Sequence, residues 1–184
     1  MKVLPLEYEK VLLDLQKQQK ELEQSLKYAS YIQQALFPKP IEIDCLFPEN
    51  FLVFMPRDIV SGDFYWATKR DNKFYLAVCD CTGHGVPGAF MSLLNITFLN
   101  EAINEKNIEE PHLILNHVRD RLIQNLSVNS KDGMDATLVR FENLKMDKFD
   151  HEKKDNVPQP KNLQVTYAAA NNEPILIQKN ELQD

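Results

Sequence analysis

The chain has 184 residues but only five glycines, and four of them fall between Gly62 and Gly88 in two short runs, DIVSGDFYW (58–66) and VCDCTGHGVPGAFMS (78–92). Glycine is where a backbone turns sharply or approaches a ligand closely. A chain this poor in glycine therefore concentrates its tight geometry in one place. Each run also carries an aspartate, Asp63 and Asp80, a hard oxygen donor suited to divalent cations. The pair of runs is the site candidate.

A hydrophobic content of 43% in 184 residues is enough to bury the core of one modest domain without disulfide or metal staples. The formal charge of −6, with scattered basic residues, argues against a nucleic-acid or anionic-membrane binder, whose field comes from clustered Lys and Arg. Three cysteines, Cys45, Cys79 and Cys81, are odd in number and lack zinc-type spacing. They point to a reducing compartment, the cytoplasm, rather than to a disulfide framework. The N-terminus has no uninterrupted apolar stretch of signal-peptide length, and the composition suggests no run long enough to span a bilayer. Any membrane sensor is expected outside this chain.

From Tyr8 to Leu36 there is no Gly or Pro, and Leu, Gln, Lys and Glu dominate, so one long helix is expected. Tyr8, Leu15, Leu22, Ala29 and Leu36 recur at seven-residue spacing. Gln18, Gln19, Ser25 and Gln33 dilute the second set of seam positions. Two arrangements fit: a dimeric coiled coil, or an amphipathic helix lying on its own domain. Pro38 and Pro40 end the helix. Residues 1–37 thus form a linker helix, and 38–184 the domain.

Beyond it, FLVFM (51–55), DFYWAT (63–68) and FYLAVCD (74–80) have strand character, with a polar hairpin turn over Lys69–Lys73. Helical spacing follows from Pro87 to about Asn104 and from Pro111 to Leu126. Strand character resumes in ATLVRFE (136–142), LQVTYAAA (163–170) and Pro174–Gln178, the first two separated by the charged, proline-containing segment Lys145–Lys161. Strands, then a helix pair, then strands again predict an α+β layered domain rather than a βαβ repeat.

Asp63 then opens a strand and Asp80 closes one. If those ends are neighbours, both carboxylates converge on one rim and suit Mg²⁺ or Mn²⁺, which favour oxygen ligands and activate water for attack on phosphorus. Either aspartate alone is ordinary turn chemistry. His84 is a candidate general acid, although a loop histidine can equally cap a turn or face solvent. Arg57 can contact a phosphate or form a structural salt bridge. Asp135, Asn171 and Asn172 read as turn residues, and His112, His117 and His151 show no partner pattern.

In combination the runs are more specific. DIVSGDFYW followed by CDCTGHGVPGAFMS resembles the SpoIIE-like branch of the metal-dependent PPM serine/threonine phosphatases, bacterial relatives of the type 2C enzymes. The segments YIQQALFP, GMDATLV (133–139) and YAAANNEPILI (167–177) are similar to successive parts of the same domain. The resemblance implies an antiparallel β-sandwich flanked by helices with a two-metal Mn²⁺ or Mg²⁺ centre at one end, ligated by Asp63, Asp80 and the backbone carbonyl of Cys81. It also implies a phosphorylated regulatory protein, of the anti-sigma-factor-antagonist type, as partner.

The family's later SDG-type run, with a further metal-binding aspartate, is not found before Asp184. The resemblance is therefore to the N-terminal part of the catalytic domain, and it implies an incomplete centre with weak or no activity in this chain alone. Two other functions fit the same residues: a non-catalytic dimerisation or signalling module acting through the N-terminal helix, and a metal-dependent hydrolase of small phosphoesters.

Overall fold

The computed structural model describes residues 6–39, 43–44, 46–47, 49–126, 132–143 and 163–177. Pro40, Cys45, His151, Gln178 and the segment Lys145–Lys161 lie outside the described residues. The long helix α1 spans Leu6–Gln34. It tightens into a last turn, with Leu36 N donating to Gln33 O (3.1 Å) and Phe37 N to Gln34 O (3.2 Å), before Pro38 blocks continuation.

Strands β1 (Phe64–Arg70), β2 (Lys73–Cys81), β3 (Met134–Glu142) and β4 (Gln164–Ala170) form one antiparallel sheet in the order β1-β2-β3-β4. Arg70 pairs with Lys73, so the hairpin turn is only Asp71-Asn72, and Asp71 takes the φ of +53° that a tight two-residue turn demands. Helix α2 (Gly85–Asn100) runs into a π-helical turn at Glu101–Glu105, and α3 (Pro111–Asn125) follows, with Pro111 in its first turn. The α+β expectation holds. Among the described residues there is one sheet, a single layer of the sandwich that the resemblance implies.

Alternation along the strands sorts the sheet into two faces. Phe64, Trp66, Tyr75, Ala77, Cys79, Cys81, Ala136 and Leu138 point one way and are buried against Met91, Ile96, Phe98 and Leu99 of α2, Ala102 and Ile103 of the π turn, and Ile114, Val118 and Leu122 of α3. Fully burying each large side chain contributes on the order of 2 kcal/mol. The opposite face carries Val78, Val165 and Tyr167, which remain more than half exposed. Part of that face is covered by Phe47 against Phe74 and Phe141, and by Phe54, which packs with Phe37 and Tyr65.

Several expectations need correction. FLVFM (51–55) forms no strand: Phe51, Val53 and Met55 face solvent and only Phe54 turns inward. Its β-type residue content favours an extended chain, but a strand also needs a neighbour to complete its ladder. The described part of Pro174–Gln178, residues 174–177, is likewise exposed and unpaired. Asp135 lies within β3, not in a turn. Helix α1 does not lie along its own domain, since Tyr8, Val11, Leu12, Leu15 and Leu22 are all more than half exposed. Finally, Gly85–Glu105 is long and apolar enough to cross a membrane by length and composition, because the π turn extends α2 to 21 residues. Its side chains supply the middle of the domain core, which accounts for the same apolarity.

Candidate metal centre

The register of one hairpin builds the site. Phe64 pairs with Cys79 at the end of the β1–β2 ladder, so one step further Asp63 stands opposite Asp80. Both are exposed, on the face away from the helices, while their neighbours Phe64, Cys79 and Cys81 are buried. Asp63 and Asp80 are in side-chain contact. Partial desolvation at the rim, and then the hydrogen bond and negative charge of Asp80, raise the Asp63 carboxyl above its ordinary range. Two facing carboxylates at an open rim form an all-oxygen donor pair whose repulsion a hard dication relieves, so the donor set fits Mg²⁺ or Mn²⁺.

The row continues across the sheet. Asp80 pairs with Asp135 on β3, and Asn171, just past β4, donates from Nδ2 to Asp135 Oδ2 at 2.6 Å. Asn171 itself adopts φ +70°, as a turn former does. Sequence reasoning assigned Asp135 to a turn because Gly133 precedes it. The signal that could have placed it was the strict alternation of Met134, Ala136, Leu138 and Arg140 toward the core, which puts Asp135 on the face of Asp80. No cluster of three or more His, Cys, Asp or Glu side chains converges on a single cation position among the described residues. Asp135 is a neighbour of the pair, tied to Asn171.

Close backbone packing joins the two glycine runs. A β-carbon on Gly62 would lie 2.7 Å from Gly83 O and 3.1 Å from Cys81 O, and one on Gly88 would lie 2.6 Å from Gly83 O. Only glycine fits at either position, because the obstructing atoms are main chain. The Cys81 carbonyl thus faces Gly62, beside Asp63. Its thiol points into the core, where Asn95 Nδ2 lies 3.4 Å from Sγ and burial pushes the thiol up to about 12. A thiol so held is neither a nucleophile nor a ready ligand at neutral pH.

One residue counted as a defect in the helix seam proves central. Gln33 is buried, and its amide grips the chain just before Asp63: Nε2 donates to Ser61 O (2.6 Å) and Ser92 Oγ (2.8 Å), and Oε1 accepts from Ser61 N (3.0 Å). A polar residue at a seam position had signalled only a weakened coil. His84 stands at the N-terminus of α2 without capping it, and its Nδ1 lies 3.0 Å from Asp58 Oδ2. Arg57 is exposed.

Comparison with known proteins follows the same lines. The family described as Stage II sporulation protein E (SpoIIE) matches residues 70–183, which include Asp80, Cys81, His84 and Asp135. No curated protein sequence matches the chain. Among solved structures, the SiaA-PP2C domain of Pseudomonas aeruginosa is similar, with a TM-score of 0.60 and 36% identity over 66% of this chain and 49% of that one. This chain spans about half the length of that solved domain.

Proposed function

The chain belongs to the SpoIIE family of PPM-type phosphatases, and from that membership we propose a Mg²⁺- or Mn²⁺-dependent phosphoserine/phosphothreonine phosphatase domain of bacterial signalling. The observation that carries the reading is the register placing Asp63 against Asp80 beside the Cys81 carbonyl. Asp63, Asp80 and that carbonyl would hold the cation, which when bound supplies Lewis acidity and an activated water. The chain's own residues fix the geometry. Gln33 holds the backbone leading to Asp63, and the Gly62–Gly83–Gly88 contact keeps the two runs at a fixed separation. The candidate partner is a phosphorylated regulatory protein of the anti-sigma-factor-antagonist type, and a cytoplasmic setting agrees with Cys79 and Cys81 both being free thiols.

The test is calorimetric and kinetic. Mn²⁺ should bind the wild-type chain and bind Asp80→Asn at least about tenfold more weakly, since each carboxylate carries much of the affinity of so small a donor set. Any turnover of a phosphoserine peptide should disappear in Asp80→Asn. Turnover that survives the substitution sinks the reading, and a preference for p-nitrophenyl phosphate over the phosphopeptide would favour a small-phosphoester hydrolase instead.

The N-terminal helix is proposed to pair with a second copy. Its support is the solvent-exposed stripe of Tyr8, Leu15 and Leu22 at seven-residue spacing on a helix whose buried hydrogen bonds to the domain, among the described residues, are made by Gln33. Sedimentation of the chain with and without residues 1–27 decides this: a monomer in both forms would rule out the pairing.

A further inference from the structure

We propose that Asp58 is a positioning residue for His84, fixing the imidazole in the tautomer that carries hydrogen on Nδ1 and leaving Nε2 as the atom that delivers a proton to the departing serine or threonine oxygen. The proton-delivery role rests on the phosphatase reading above; the pairing rests on the structure.

The contact itself is 3.0 Å between His84 Nδ1 and Asp58 Oδ2. An ionised carboxylate accepts and cannot donate, so a hydrogen bond there requires the hydrogen on Nδ1. The competing role for a histidine at this position, capping α2, is not taken up: the helix begins after His84 with no side-chain cap. The ring spends its polar contact on Asp58.

Both ends of the contact are anchored. Two residues after Asp58, Val60 is buried at 3% exposure, and Ser61 is clamped through both its N–H and its carbonyl by Gln33. On the other side, Gly83 is pinned by its carbonyl between Gly62 and Gly88. Gly85 turns away from His84 at φ +60°, with the position of its missing β-carbon 3.6 Å from Asp58 Oδ2. The loop backbone is thus shaped around the Asp58 carboxylate. The pair links the same two runs that supply Asp63 and Asp80. His84 is 68% and Asp58 40% exposed, and a contact so wet adds little to stability. What it supplies is orientation, as a carboxylate does for a general acid–base histidine.

The step balances as follows. A water oxygen forms a bond to phosphorus as the P–O bond to the serine or threonine breaks, and the water's proton passes to solvent. His84, protonated on both nitrogens, gives the Nε2 proton to the departing oxygen, yielding the free alcohol. The ring remains neutral with Nδ1–H on Asp58 and regains a proton at Nε2 from solvent.

Long-range ¹H–¹⁵N spectra of the histidine side chains at about pH 8, where imidazole is largely neutral, report the tautomer, and His84→Asn identifies the His84 signals. Wild type should show His84 as Nδ1–H. Asp58→Asn, which can donate to Nδ1 instead, should move it to Nε2–H or to a mixture, and Asp58→Glu should retain Nδ1–H. An Nε2–H ring in wild type, or one indifferent to Asp58→Asn, overturns the pairing. With Mn²⁺ and a phosphoserine peptide, Asp58→Asn should lower kcat by about tenfold or more at unchanged KM, and the double variant with His84→Asn should be no slower than His84→Asn alone. An unchanged kcat, or additive losses, overturns the proton-delivery role. A domain carrying the complete metal centre that binds Mn²⁺ without turning over the peptide removes that role together with the phosphatase reading, while the spectra still decide the pairing.

Discussion

At Gly88 a single methyl group would meet a backbone oxygen at 2.6 Å, closer than real carbon–oxygen contacts allow, and nothing flexible is there to yield. Gly88→Ala should therefore push Gly83 and Gly62 away from the start of α2 and destabilise the domain by about 1–3 kcal/mol, the usual range for overpacking. Its urea midpoint should fall well below that of Val86→Ala, an exposed position two residues away; equal midpoints would mean that Gly88 does not pack against the backbone of Gly83 and Gly62. Tyr75 gives the pH dependence. Burial pushes its phenol above the ordinary value, outweighing the positive neighbours Lys73 and Arg140 that draw it down. An unfolded tyrosine ionises near about pH 10. Below that pH both states keep the proton; above it the unfolded chain releases a proton that the folded chain retains, so stability falls as pH rises through the folded value. Denaturation midpoints at pH 8 and 10.5 should show a larger alkaline drop for wild type than for Tyr75→Phe, and identical drops would refute the assignment.

At the scale of elements, the π turn is the joint of the helical layer. Lys106 N donates to Glu101 O at 2.8 Å, five residues back, and Asn107, at φ +58°, lets Ile108 N reach Ala102 O at 2.9 Å. The extra residue in the turn carries Glu101 toward α3. There Oε2 accepts from Arg121 Nε at 3.0 Å, and Oε1 lies 3.3 Å from His117 Nε2, close enough to pair but off the line of a hydrogen bond. Arg121 also sits 5.1 Å above the Phe98 ring, where a cation is attracted to the π face. Glu101→Ala leaves a largely buried histidine and an arginine without their shared carboxylate. The expected cost is about 1–2 kcal/mol, read as a lower midpoint with α3 amides exchanging faster than those of β2. Loss confined to β2 would contradict it. His117 showed no partner pattern in sequence because its partner lies 16 residues away on a turn that no helical period anticipates.

For the whole molecule, the sheet has one face packed under helices and the other only partly covered, with Val78, Val165 and Tyr167 exposed in a patch beside the carboxylate row. Contiguous apolar surface of this kind binds hydrophobic dyes. The chain should enhance anilinonaphthalene sulfonate fluorescence, and a Val78→Lys/Tyr167→Lys variant should lose most of that enhancement while keeping its fold; undiminished fluorescence would place the dye elsewhere. Much of this architecture was legible in advance. FYLAVCD and ATLVRFE were read as strands, and the two helices after the glycine loop were found, because β-type residue content and helical period are local properties of the chain. FLVFM failed because β-type residue content favours an extended chain without naming its neighbour. Gln33 and Asp135 failed because each is polar at a position whose meaning lies in a contact far along the chain: Gln33 with Ser61, and Asp135 with Asp80. The sequence by itself determined which residue types could make a cation site and confined them to two glycine runs, since only there could backbone approach backbone. That Asp63 faces Asp80, that Gln33 grips the loop leading to Asp63, and that Asp58 meets His84 was decided by tertiary structure, because register and long-range hydrogen bonds are set when the layers pack.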